Sequence, residues 1–163
     1  MSAEQMSIGG EWCDAEDGAT ADILNPATGQ VMATTPKATL NDVNRCVEAS
    51  RVAFEDPSWK AMDPAQRGRI LNKMAQATYA KAKELAAIES NNNGKTFREA
   101  LSEIRYGAWT LEYFAGLSDK IEGSTIPVPG NRLNYTLRQP LGVTVHIVPW
   151  NFPLQLALRS IAP

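Results

Sequence analysis

The chain has 163 residues, is 44% hydrophobic and 21% charged, and carries a formal net charge of −2. That composition suits one globular domain rather than a disordered tail, and near-neutral, interspersed charge leaves no footprint for nucleic acid. No apolar run approaches the ~20 residues of a membrane helix. The opening stretch Met1-Ser2-Ala3-Glu4-Gln5 has neither the basic nor the apolar region of a secretory signal, so a cytoplasmic protein is expected.

Residues 7–35 read as short strands and turns. Ile8-Gly9-Gly10-Glu11-Trp12 and Ala21-Asp22-Ile23-Leu24 flank the turn dipeptide Asp17-Gly18. Asn25-Pro26-Ala27-Thr28-Gly29 forms a second turn, and Gln30-Val31-Met32-Ala33-Thr34 a strand that closes at Pro36. Thr39, with Asp42 three residues on, resembles a capping box that starts a helix. Leu40, Val43, Val47 and Phe54 recur at helical spacing, with Cys46 and Ala53 beside them, until Pro57 stops the run and Trp59 packs back from the connection. Asp63-Pro64 opens a second helix with Ile70, Leu71, Met74, Ala75 and Ala77 on its apolar face. A third segment from about Lys81 carries Leu85, Ala86 and Ile88 and ends at Asn91-Asn92-Asn93-Gly94. Thr96 and Glu99 cap a longer helix with the stripe Leu101, Ile104, Ala108, Leu111 and Ala115, and Gly116 as terminator.

Beyond residue 117 the pattern changes. Ile126-Pro127-Val128-Pro129 is no central strand, because proline donates nothing to a ladder. After the Gly130-Asn131 turn, Leu133, Tyr135 and Leu137 alternate on one face, giving a hairpin with an exposed edge that asks for a partner. Residues 143–148 are β-branched and apolar on both faces, so they predict a buried strand needing neighbours on each side. Pro149-Trp150-Asn151-Phe152-Pro153 follows as a rigid loop, then an apolar helix. A strand running into a loop and a helix is where open α/β sheets place ligands.

Two cysteines make no disulfide framework and suit a reducing compartment. Cys46, on the apolar stripe, is expected buried and inert; Cys13 lies in a polar turn region. The only histidine, His146, neighbours neither, so no Cys/His pair is read here. No cluster has metal-ligand spacing, and no glycine-rich phosphate motif occurs. Asn151 has two readings. It can cap the following helix, or its amide can donate into a cleft and stabilise an oxyanion. Bracketing prolines suit either one.

Residues 142–154, Gly142-Val143-Thr144-Val145-His146-Ile147-Val148-Pro149-Trp150-Asn151-Phe152-Pro153-Leu154, resemble the signature of the NAD(P)-dependent aldehyde dehydrogenase superfamily. The resemblance extends over nearly the whole chain. Asn25-Pro26-Ala27-Thr28-Gly29, the helix with Val43, Glu48, Ala49 and Phe54, Arg67 with Ile70-Leu71, Glu89 with Asn93-Gly94-Lys95, and Tyr113-Phe114-Ala115-Gly116 stand in the family's order and spacing. It implies an α/β fold whose N-terminal part is present. Residues 1–120 would begin the cofactor-binding domain, 121–141 would be an oligomerisation hairpin, and 142–163 the first strand, loop and helix of a Rossmann-like core.

The resemblance further implies an enzyme that oxidises an aldehyde with NAD or NADP through a cysteine thiohemiacetal, and works as a dimer or tetramer. Asn151 takes the oxyanion-donor role, and Ile147, Val148, Pro149, Trp150 and Asn151 run along the cofactor. Family members are about three times as long, so the nucleophile, the base and the lysine that grips the ribose are expected beyond Pro163, and neither Cys13 nor Cys46 stands in the nucleophile's place. Arg159-Ser160, where many members carry Trp-Lys, suggests a sub-branch acting on aromatic or semialdehyde substrates. The alternative is a non-catalytic chain that associates with full-length subunits through 121–138. As an independent nucleotide-binding module the chain is weaker: one strand builds no parallel sheet, and little or no NAD binding is expected of it alone.

Overall fold

Two glycines set the first turn. Gly9 and Gly10 both have positive φ, +62° and +88°, the left-handed conformations that a two-residue hairpin loop requires. They join β2 (Met6–Ile8) to β3 (Glu11–Cys13), paired antiparallel with Ile8 opposite Glu11. Where Ile8 to Trp12 is expected to run as one strand, the chain reverses at these glycines. The structure, a computed structural model, describes residues 2–163; Met1, at the head of the opening stretch, lies outside them.

Asp17-Gly18 does turn, with the Gly18 amide donating to the Ala15 carbonyl at 2.9 Å. It does not make a hairpin of its flanks. β4 (Thr20–Leu24) pairs with β5 (Val31–Pro36) across the Asn25–Gly29 turn, and β1 (Ser2–Ala3) adds in parallel on the other side of β5. The turn is held by the Asn25 side chain, which accepts from the Ala27 amide at 2.8 Å.

The helices start where local chemistry puts them. α1 (Leu40–Glu55), α3 (Pro64–Ala80) and α5 (Phe97–Leu117) each carry a complete capping box, Thr39/Asp42, Asp63/Gln66 and Thr96/Glu99. α2 (Pro57–Lys60) is a single short turn in which Trp59 remains half-exposed, with the Arg67 guanidinium 6.0 Å from its ring. α4 (Ala82–Asn93) ends on Gly94 in the left-handed conformation. α5 runs on past Gly116 to Leu117, because that glycine keeps an ordinary helical φ and nothing obliges it to stop.

α3, α4 and α6 (Pro153–Ile161) all lean on α5. One small core joins Ala75, Leu111, Leu158 and Ala162; a second joins Ala82, Ala86, Ala100 and Ile104, and Leu154 packs against both. The close crossings depend on glycine. A Cβ on Gly68 of α3 would stand 2.6 Å from the Ala115 carbonyl of α5, and one on Gly107 of α5 would stand 2.8 Å from Leu158 Cδ1 of α6.

Several helix faces chosen by periodicity are open. Leu40, Val43, Cys46, Val47 and Ala53 of α1 are exposed, so the expected burial of Cys46 does not hold. On α3, Ile70, Met74 and Ala77 are exposed while Gly68 and Ala75 are buried. Periodicity locates the apolar face, but burial also needs an opposing element, and the chain supplies none there. The same reason undoes the predicted strands. Residues 143–148 form no ladder, with Ile147 93% exposed. The 121–138 hairpin shrinks to one bridge, Thr125–Tyr135, flanked by backbone bonds from Ile126 to Asn134 and from Thr136 to Ser124; Leu133, Tyr135 and Leu137 stay exposed. Among the described residues no helix is long and apolar enough to cross a membrane.

Candidate functional site

The loop between residue 148 and α6 is fixed at both ends by proline. Pro149 and Pro153 lock their own φ, and Pro153 sits in the first turn of α6, where its missing N–H costs nothing. The residue preceding α6 is Phe152, and no side chain caps the helix. Asn151 is therefore not spent as a helix cap, the competing reading of this residue. Its side chain is exposed, and among the described residues none hydrogen-bonds its amide.

What holds the loop comes from elsewhere in the chain. The Lys95 ammonium donates to the Asn151 backbone carbonyl at 2.7 Å and lies 4.5 Å from the centre of the Phe152 ring, close enough for a cation–π contact. Its other two hydrogen bonds go to Glu89 of α4, at 2.9 Å, and Glu103 of α5. An ammonium has three donors, and all are used. Lys95 is itself clamped, its N–H donating to Asn93 Oδ1 at 3.0 Å and its carbonyl accepting from Ser90 Oγ at 2.7 Å.

The electrostatics of the cluster are those of a partly dry site. Glu89's side chain is 3% exposed and Lys95's 14%. Burial pushes the Glu89 carboxyl above its usual range, against the opposing pull of Lys95. Burial disfavours the Lys95 ammonium too, but its hydrogen bonds to Glu103 and Glu89 outweigh it and hold the amine above the usual lysine range. Glu89 Oε2 and Asn93 Nδ2 are buried without a hydrogen-bond partner among the described residues.

The cofactor-facing candidates form one continuous strip. Ile147 is almost wholly exposed, Trp150 is 78% exposed, Val148 is half-buried, and Pro149 and Asn151 are exposed. The structure brings Asn151 and Phe152 together with Lys95; Ile147 and Trp150 have no element covering them. His146 Nε2 lies 2.9 Å from Thr144 Oγ1, two residues back along the same segment. An open cleft of about 540 Å³ lies at the other end of this segment, lined by Phe54, Trp59, Gly142, Val143 and Thr144, away from Asn151.

The sequence places Lys95 at a helix end and marks none of its partners. Its partners stand six residues before it, eight after it and 56 beyond it, so no local pattern joins them. The available signal was an Asn-Gly-Lys helix end with an acid on each flanking helix.

Comparison with known proteins gives the family and the fold. Residues 12–163 match the Aldehyde dehydrogenase family. The chain is 42% identical over 159 residues to the hydroxyisobutyraldehyde dehydrogenase of Mycolicibacterium austroafricanum, covering 97% of this chain and 31% of that protein. It is 40% identical over 161 residues to mouse (Mus musculus) retinal dehydrogenase 2, covering 98% and 31%. Among solved structures, it superposes on the NAD-dependent aldehyde dehydrogenase of Sinorhizobium meliloti with a TM-score of 0.91 at 39% identity, over 96% of this chain and 32% of that one. The chain thus spans about a third of the length of these relatives, and its mixed α/β fold corresponds to the N-terminal part of theirs.

Proposed function

We propose, since this chain belongs to the aldehyde dehydrogenase family, that it forms the N-terminal third of an enzyme oxidising an aldehyde to a carboxylic acid with NAD or NADP. The observation that carries this reading is the state of Asn151: its backbone carbonyl is tied to Lys95, its side chain is exposed, and it caps no helix. A rigidly mounted amide with no internal partner is what an oxyanion donor requires. As a thiolate from the remainder of the intact enzyme adds to the aldehyde carbon, the carbonyl electron pair moves onto oxygen. Asn151 Nδ2 donates to that oxygen. Ile147, Val148, Pro149, Trp150 and the backbone of Asn151 would line the site for NAD(P)+, which when bound would supply the hydride acceptor.

The division of the chain follows the same reading. Residues 1–120 support the cofactor domain, 142–163 begin its core, and 121–141 form an edge for a second subunit of a dimer or tetramer. The exposed Leu133, Tyr135 and Leu137 support that edge. Two unbridged cysteines suit work in a reducing cytoplasm.

Asn151→Ala in the intact enzyme tests the reading. Loss of one oxyanion donor lowers kcat by about 10²–10³, roughly 2.7–4 kcal/mol of transition-state stabilisation. Near-normal turnover removes Asn151 from the chemistry.

A further inference from the structure

Lys95 lies too deep, and is too fully hydrogen-bonded, to be a surface lysine, and it stands directly under the backbone of Asn151. We propose that Lys95, held between Glu89 and Glu103, is a positioning residue that sets the direction of the Asn151 side chain. This inference rests on the reading of Asn151 as the oxyanion donor and deepens it.

Three backbone rotations of the loop are restrained. Pro149 and Pro153 fix two φ angles. The Lys95–Asn151 bond, at 2.7 Å, fixes the peptide plane between residues 151 and 152, and with it the ψ of Asn151. The Phe152 ring over the ammonium fixes the next side chain. The Asn151 side chain therefore projects from a backbone restrained on its carbonyl side.

Lys95 can do this because it is pre-set itself. Gly94 turns the chain at φ +80°, a conformation L side chains rarely adopt, and a Cβ there would also meet Pro26 Cγ at 3.1 Å. Asn93 and Ser90 then bind the Lys95 backbone on either side. Two carboxylates from two helices leave the ammonium one orientation that satisfies all three donors. The arrangement joins α4, α5 and the loop at one atom. A charged donor makes a stronger bond to a carbonyl than a neutral one, and low exposure protects it from competing water.

The experiment has two arms. In the intact enzyme, Lys95→Met leaves the buried Glu89 and half-buried Glu103 carboxylates unpaired and can unfold the site, so the triple variant Glu89→Gln, Lys95→Met, Glu103→Gln accompanies it with the charges removed. Both are expected to lower kcat at least about tenfold, the equivalent of about 1.4 kcal/mol, while the KM for the cofactor stays within about threefold. Placed in an Asn151→Ala background, the triple variant should cost little more, because residues acting through one group are not additive. Unchanged kcat, or full additivity with Asn151→Ala, overturns the proposal.

In the intact enzyme labelled with nitrogen-15 asparagine, the second arm follows the backbone and side-chain amide resonances of Asn151 by NMR. The triple variant should shift or broaden both, and unmoved resonances overturn the proposal independently of catalysis. If Asn151→Ala alone leaves turnover intact, the oxyanion reading fails, and the NMR arm alone then decides the fate of Lys95 as an anchor of the loop.

Discussion

Asp42 shows how much one side chain can organise. It is almost wholly buried at the start of α1. Its Oδ2 accepts from the Thr39 amide and hydroxyl, both at 2.9 Å, and from the Glu16 amide at 3.2 Å, while Oδ1 accepts from Arg45 at 3.2 Å. The capping box was legible in the sequence because its two members are three residues apart. The tie to Glu16, 26 residues away in the connection before β4, was not. Hydrogen bonds from the Thr39 and Glu16 backbones lead the causes that hold the Asp42 carboxyl below its usual 3.8, against the opposing effect of burial. The sign follows. Between the lowered folded value and 3.8 the unfolded chain binds more protons than the native one, so stability rises with pH there. The contribution is fully present above about pH 3.8 and is lost as pH falls through the folded value. Asp42→Asn should therefore melt below the parent at pH 7, and the gap should close under acid conditions. Thermal melts across pH check this, and a gap that persists unchanged at low pH contradicts it.

Among the elements, those determined by neighbours in sequence were readable and those determined by distant neighbours were not. Thr39, Asp63 and Thr96 start their helices as expected, and Gly94 ends one, because caps are satisfied within a turn. Residues 143–148 have the right composition for a strand, yet a strand exists only as a paired ladder. Val145 and Ile147 are exposed for want of neighbours, while the TM-score of 0.91 against a longer relative shows that the chain still follows the family's course. Helix crossings were also hidden, since nothing in the sequence marks Gly68 as a contact rather than a weakness in α3. Its place beside the Ala115 carbonyl makes a testable point. Gly68→Ala would raise intrinsic helix propensity by about 1 kcal/mol in an isolated helix. Here it should destabilise by about 1–3 kcal/mol, the usual cost of overpacking. Urea titration at neutral pH decides between them, and a stabilised variant would mean α3 and α5 can move apart at no cost.

For the whole molecule, the exposed apolar surface is the dominant fact. Leu141, Val145, Ile147 and Trp150 at one end, Leu40, Val43 and Val52 along α1, and Leu133, Tyr135 and Leu137 on the hairpin all face outward. Monomers seldom leave contiguous patches of this kind uncovered. The two buried clusters, by contrast, are built largely of alanines around Ile104, Leu111 and Leu158. A core this small holds α3 to α6 together but does not reach β1 to β5 or α1. The isolated chain should therefore unfold over a broad range, with the tryptophan signal and far-ultraviolet circular dichroism following different curves. Coincident, steep transitions by both probes would contradict that.

Asn151 carries the proposed chemistry, and its effect is read most directly at the chemical step. A single-turnover experiment on the intact enzyme reads the chemical step itself. With excess enzyme and saturating cofactor, the rate of reduced-nicotinamide formation should fall by about 10²–10³ in Asn151→Ala. A rate equal to the parent's would contradict the assignment of Asn151 as the oxyanion donor.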